Sequence, residues 1–371
     1  MAPSQVLLSP AELSYLHTSL TSTPPIRPDA RSAAQFRPLV AETDILPAAN
    51  GSARICFADG TEAVVGVKAE VHKSSSATNV SGETEQEGSR GLGTGGGDAD
   101  VDMDDDEGGA TLGDENAGKG SDSWLEATVE IPGLRDDDQM PVSFGSMLSE
   151  ALLADGKLRD RLYINNRFHW MLYIDILLLS APLSYPLPLL SLTTHLAMLQ
   201  TKLPALISEK DEDPLSNDDW DAAVSLYPSK DSSSKPPITL LVMSVGDNIL
   251  FDPTQEELAV ADALLAVSVA ETKTNSSEKG DLSVVAMRSI DPPSRVTNPG
   301  IPDSMNTATG GTAPASKEEA LAKRECIDPQ TVWSPPRGGI RRGLIGRMVE
   351  AVVEKGGVGW EVLEALDAVE R

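Results

Sequence analysis

Asp59-Gly60 lies between two runs in which apolar residues alternate with small or charged ones, and this arrangement constrains the fold of the chain more than any other. Both residues tolerate positive φ, so the pair predicts a tight hairpin, of type I′ or a bulged relative. On the leading arm Ala53, Ile55 and Phe57 share one face, while Arg54, Cys56 and Ala58 share the other. On the return arm Ala63, Val65, Val67 and Ala69 oppose Val64, Gly66 and Lys68. The side-chain period is two, so a one-residue slip would expose the whole apolar set. The segment therefore reads as a half-buried hairpin carrying a basic residue on each arm, with an apolar face that another layer must cover.

The remaining chain supplies such layers. Ser9-Pro10-Ala11-Glu12 is a capping box with proline at the first helical position, predicting a helix from Pro10 to about Ser19, stopped by Thr23-Pro24-Pro25. Leu125 to Ile131 alternates as a strand, and Pro141 to Leu153 reads as a helix with Val142, Met147, Leu148 and Leu152 near one face. Arg161-Leu162-Tyr163-Ile164 and Phe168 to Leu179 read as consecutive strands. A helix starting near Pro188 spaces Leu189, Leu192, Leu196, Leu199 and Leu203 for burial. Ile238 to Val245 is an apolar strand that turns at Asp247-Asn248 and returns through Ile249-Leu250-Phe251. Thr254 to Glu257 caps a helix to about Ala263, followed by strands at Leu264 to Val269 and Leu282 to Met287. A basic patch, Arg337 to Arg342, precedes an amphipathic helix from Leu344 to Glu354. Strands and helices in this order predict an α+β domain of mixed β-sheets packed with helices.

Charge separates the core from its insertions. The chain of 371 residues has a net charge of -27, which at face value argues against general nucleic-acid binding. Between Gly82 and Ser123, however, thirteen acids face only Arg90 and Lys119 in a Gly/Ser-rich setting, the composition of a disordered segment. The organisation expected is a helix in 1–25, a core over 26–290, and a Pro/Gly-rich linker with a helical extension over 291–371. A disordered acidic insertion at 74–123 and a polar insertion at 208–237 interrupt the core. Trp170 to Leu192 is strongly apolar, but Asp175, Pro182, Pro186 and Pro188 divide it into pieces too short for a membrane span. Cys56 and Cys326 make no disulfide framework, and the beginning of the chain has no secretory pattern, so an intracellular protein is expected.

Arg27-Pro28-Asp29-Ala30-Arg31, Glu42-Thr43, Gly51-Ser52-Ala53 and Val65-Gly66-Val67-Lys68-Ala69-Glu70 follow one another in an order that resembles the opening of the RNase PH family. Ala30 replaces that family's usual glycine. The Trp170-Met171-Leu172-Tyr173-Ile174-Asp175 strand, the helix finishing near Pro204, and Asp252-Pro253-Thr254 with Glu256-Glu257 continue the resemblance to about residue 290. It implies the RNase PH-like fold and one of two roles: phosphate-dependent 3′-5′ trimming of RNA, or ring building without catalysis. Leu8 to Glu12, Glu42 to Ile45 and Gly66 to Glu70 look most like the branch that forms ring subunits of the RNA exosome.

Phosphorolysis needs a phosphate cradle and carboxylates that hold a metal or act as general acid. Where active relatives carry Asp-Gly-Asn or Asp-Gly-Gly and a further carboxylate, Ser180 to Pro188 has none, with Pro188 at the helix start. A second acidic place falls near Leu264, with Asp262 two residues earlier and expected to face solvent on a helix. The resemblance thus implies no catalytic residues, no metal and no cofactor. It also implies RNase PH-like neighbours in a hetero-hexameric ring, RNA-binding cap subunits, a separate nuclease, single-stranded RNA, no membrane, and residence in nucleus, nucleolus and cytoplasm.

An active exoribonuclease using Asp175 and Asp252 is the alternative, and a third reading makes the acidic tract an arm for basic partners. Lys157, Arg159, Arg161 and Arg167 form the densest basic cluster of the core and are the RNA-contact candidates, with pairing to a neighbouring subunit as the other reading. Asp175 is expected to be a buried, hydrogen-bonded carboxylate. His17, His72, His169 and His195 lack metal-ligand spacing, and His195 reads as a core histidine.

Overall fold

In the computed structural model the described residues are 8–74, 120–180, 184–208, 212–228, 235–272, 280–296 and 333–369, with a few positions between 312 and 319. Most of the acidic insertion, the Ala181 to Leu183 part of the proline-rich turn, and Cys326 lie outside them.

Helix α1 (Pro10–Thr21) carries the expected reciprocal cap: Glu12 N donates to Ser9 Oγ at 3.3 Å, and Ser9 N to Glu12 Oε2 at 2.7 Å. Strands β1 (Leu39–Thr43), β2 (Gly51–Phe57) and β3 (Glu62–Lys73) form an antiparallel meander. The Asp-Gly turn takes the bulged form. Phe57 O accepts from Gly60 N at 2.9 Å, Phe57 N donates to Thr61 O at 2.9 Å, and Gly60 has φ 84°. Ala53, Ile55, Phe57, Ala63, Val65 and Val67 are all buried, as the alternation requires.

Strand β4 (Leu125–Glu130) runs parallel to β5 (Phe168–Leu178), which pairs antiparallel with β3, completing a sheet of order β1-β2-β3-β5-β4. Helix α2 (Gln139–Leu153) packs on β4. Its buried face is Phe144, Leu148, Ala151 and Leu152, whereas Val142 is exposed, so the expected stripe was rotated. Arg161 to Ile164 is not a strand: Lys157–Leu162 is helix α3, which buries Leu158 and Leu162 one turn apart. Gly156, at φ 70°, precedes it in a conformation few residues other than glycine adopt.

Helix α4 (Leu187–Gln200) lies between this sheet and a second one, touching β2, β3 and β8 (Ile238–Val245). Leu187 through Leu199 are buried on every side, a wider contact than the leucine stripe implied. Its polar residues are bonded accordingly. Thr193 and Thr194 donate to the carbonyls one turn back, and Ser191 Oγ accepts Thr239 N at 2.7 Å. His195 Nδ1 lies 2.8 Å from Pro236 O, a carbonyl that can only accept, so Nδ1 carries the proton. Burial pushes the imidazole pKa down to about 4 against the opposing pull of that bond.

Beyond α4, β6 (Lys202–Leu203) pairs with β7 (Val224–Ser225), and Leu226 and Tyr227 are buried. The segment expected as a polar insertion therefore adds side chains to the core. The second sheet has the order β11-β10-β8-β9, with β9 (Asn248–Phe251), β10 (Ala263–Thr272) and β11 (Asp281–Ile290) all antiparallel to their neighbours. Between β9 and β10, helix α5 (Gln255–Leu258) is a single turn and stops well short of Ala263. The final helix is two, α6 (Arg342–Val353) and α7 (Val358–Asp367), which bury Met348, Val352, Leu363 and Leu366. No described helix is long and apolar enough to cross a membrane.

At Gly51 the end of α4 presses directly on β2. A Cβ there would stand 2.5 Å from Thr201 Oγ1 and 2.7 Å from the Ala197 carbonyl oxygen. Gly51→Ala should therefore lower stability by about 2 kcal/mol through forced backbone movement, read as a lower urea midpoint at unchanged m.

Candidate functional site

The arginine-rich opening of the core docks onto the loop between β9 and α5, more than two hundred residues away in sequence. Arg27 Nε and Nη2 bind Glu257 Oε1 and Oε2, each at 2.8 Å, as a bidentate pair with both side chains fully buried. The same guanidinium donates to Phe251 O at 3.0 Å and Asp252 O at 2.9 Å. Glu257 also receives Thr254 N at 2.8 Å, because it is the acidic member of the α5 capping box.

Asp252 is the second hub. Its Oδ2 accepts from Arg31 Nη1 at 2.8 Å and from Arg37 Nε and backbone N, each at 2.9 Å, while Oδ1 accepts from Arg37 Nη2 at 2.6 Å. Only 1% of Asp252 is exposed. Burial alone would push the carboxyl up, but hydrogen bonds and charge from Arg37, joined by Arg31, hold it below its usual value. Arg37 also stacks over the Phe57 ring at 4.6 Å and bonds Asp59, tying the hairpin turn to the hub. Ala30, between Arg27 and Arg31, adopts φ 61°. The backbone there takes the left-handed turn for which glycine is suited, although the residue is alanine.

This geometry removes the carboxylate pair of the alternative reading. Asp252 already carries two guanidinium partners, leaving no face for a cation. Asp175 is exposed rather than buried, on the outer face of β5, where Thr128 Oγ1 donates to its Oδ1 at 2.9 Å. Asp175 lies in the first sheet, whereas Asp252 lies in the loop that follows β9 of the second. Pro188 and Leu264 are buried apolar residues. Asp262 lies in the turn before β10 rather than on a helix, and its Oδ2 accepts Gly246 N at 2.6 Å.

The basic cluster is gathered on and beside α3, and its members meet other parts of the chain. Arg159 Nη1 reaches Asp122 Oδ1 at 2.8 Å. Arg161 donates to Leu226 O at 3.2 Å and lies 4.3 Å over the Tyr227 ring. Arg167 meets Asp213 at 3.1 Å. Lys157 opens α3, its backbone N held by Asp155 Oδ1 at 3.1 Å. Nearby, His169 stacks on Trp124 at 4.3 Å and meets Ser74 Oγ at 3.0 Å; burial, with the neighbouring His72 charge, pushes its imidazole down. Sequence reasoning missed Arg37 and Glu257 as network members. The capping-box spacing exposed Glu257 as a helix start, but nothing local to Arg37 signals a partner in the loop after β9.

Two curated relatives align over most of the chain. Exosome complex component RRP42 of Saccharomyces cerevisiae is 31% identical over 275 residues, covering 72% of this chain and 84% of the yeast protein. The chain belongs to the RRP42 family of exosome components. Exosome complex component rrp42 of Schizosaccharomyces pombe is likewise 31% identical over 278 residues, covering 71% of this chain and 78% of that protein. No protein-family model matches. Among solved structures, an archaeal exosome core chain has TM-score 0.47 and 18% identity, covering 76% of this chain and 85% of that one. A chain of the Archaeoglobus fulgidus exosome with RNA bound to the active site has TM-score 0.47 and 17% identity, covering 76% and 87%. Membership in the RRP42 family fits the RNase PH-like α+β fold expected from the ordered motifs.

Two substitutions test the network. The folded Asp252 pKa lies below the ordinary value of 3.8, so the unfolded chain binds the proton more readily. Its stabilisation is complete above the ordinary value and is lost as pH falls through the lower folded value. Asp252→Asn should cost about 3–5 kcal/mol at neutral pH and flatten that part of the acid dependence in urea titrations. Ala30→Gly should instead raise stability by about 0.5–1 kcal/mol by relieving left-handed strain, seen as a higher urea midpoint.

Proposed function

We propose that this chain is a non-catalytic ring subunit of the RNA exosome, supporting 3′-5′ RNA processing and degradation. It assembles with other RNase PH-like subunits into a hetero-hexameric ring, meets RNA-binding cap subunits, and helps lead single-stranded RNA to a separate nuclease. Family membership supports the assembly. The observation that carries the absence of catalysis is Asp252, held by Arg31 and Arg37 and so unavailable to a metal or a leaving group. Nucleus and nucleolus, with cytoplasm, are the compartments this role calls for.

On this reading Lys157, Arg159, Arg161 and Arg167 remain candidates for the RNA backbone. Contact by Arg159 or Arg167 exchanges the exposed acids Asp122 or Asp213 for phosphate, a small cost because surface ion pairs contribute little.

The purified chain, incubated with single-stranded RNA, phosphate and magnesium, should release no nucleoside diphosphate, whereas co-purification from cells should bring down RNase PH-like subunits. Diphosphate release that disappears in Asp175→Asn would overturn the non-catalytic assignment, and a chain recovered without partners would overturn the ring.

A further inference from the structure

The chain is strongly acidic, yet from Trp333 to Val349 it contains Arg337, Arg341, Arg342 and Arg347 and no acid at all. All four arginines are exposed. Arg295 joins them, because its Nη2 donates to Gly338 O at 2.8 Å across the base of the patch. Among the described residues, two acids pair with these cations. Asp291 pairs with Arg295 at 3.0 Å, and Asp247, itself 99% exposed, lies 3.4 Å from Arg347. Among the described residues, the side chains of Arg337, Arg341 and Arg342 meet no carboxylate.

We propose that this arginine patch at the head of α6 is a binding site for the phosphate backbone of single-stranded RNA. Three observations favour RNA over an acidic protein segment. Every cation is arginine, whose planar fork matches phosphate oxygens two at a time. The intervening Gly338, Gly339 and Gly343 have open space where a Cβ would stand, so a polyanion can approach the backbone closely. Of the large apolar side chains of the segment, Trp333 and Met348 are buried, and Leu344, Ile345 and Val349 are partly buried against the core, so that, with Ile340 also half-buried, none stands fully exposed as the anchor a protein partner uses. The site is separate from the Lys157 to Arg167 cluster. The inference rests on the exosome reading for its choice of RNA as the polyanion.

The test compares the full chain with Arg337→Ala/Arg341→Ala/Arg342→Ala, using a fluorescent single-stranded oligouridine across a salt series, with co-purification of ring subunits measured in parallel. Each phosphate contact on a single strand contributes about 0.7 to the slope of log affinity against log salt. The triple variant should therefore lose about 2 from that slope and bind at least about tenfold more weakly at low salt, while still recovering the ring subunits. The triple Arg→Lys variant should keep most of the slope. Unchanged affinity and slope would overturn the patch while leaving the ring assignment standing. Binding of polyglutamate through the same three arginines, undisplaced by RNA, would overturn it in favour of an acidic protein partner. Loss of ring subunits from the unmutated chain would instead count against the exosome reading alone.

Discussion

The buried arginine and carboxylate network joining the opening of the core to the β9–α5 loop is the interaction on which the rest depends. Taking Arg27 and Glu257 fully out of water costs several kcal/mol per ion, offset here by bidentate geometry and by backbone carbonyls that occupy the remaining donors. Such a network is not strong evidence for net stability. It does specify one arrangement, because removing any single partner strands a buried charge. Arg37 extends the same logic from Asp252 to the hairpin turn, so both sheets are registered against one set of charges. A carboxylate used in this way is occupied by guanidinium partners on both oxygens, so its place in the fold is architectural.

The second constraint is α4. A helix buried on all sides has no solvent face on which to place polar groups, so each must bond within the core. Ser191, Thr193 and Thr194 do so, and His195 does so through one nitrogen, while its Nε2 is without a partner. Keeping the imidazole neutral is what makes that burial tolerable, and its depressed pKa expresses the same cost. Gly51 completes the contact by letting β2 approach the helix end more closely than any side chain permits. The central layer is thus held by shape and by satisfied polar groups together.

How much of this the sequence disclosed depends on the range of the interactions concerned. The hairpin and the α1 cap were legible because their causes lie within a few residues: an Asp-Gly turn, a period of two, a reciprocal Ser9–Glu12 pair. Arg161 to Ile164 misled because Leu162 and Ile164 alternate with the polar or amphipathic Arg161 and Tyr163 as in a strand, although Leu158 and Leu162 also satisfy helical spacing and Gly156 starts the turn. Asp175 misled because an apolar strand was read as buried on both faces, whereas β5 keeps a solvated outer face. Asp252, the buried carboxylate partner of Arg37, lies 215 residues away, and no local pattern points to it. Likewise the basic cluster was visible, but its partners Asp122, Asp213 and Leu226 become neighbours only in the fold.

Arginine is used in three ways along this one chain, and burial separates them. Arg27, Arg31 and Arg37 are enclosed with carboxylates, where salt hardly reaches and the charges act as fixed struts. Arg159 and Arg167 pair at the surface, where each contact is weak and exchangeable. Arg337, Arg341 and Arg342 are exposed, and among the described residues none of them meets a carboxylate. In a protein with a net charge of -27, grouping cations away from carboxylates keeps local positive potential from being cancelled by the chain's own acids. The same residue type therefore fixes architecture where it is buried and paired, and is left free to meet an outside polyanion where it is exposed and unpaired.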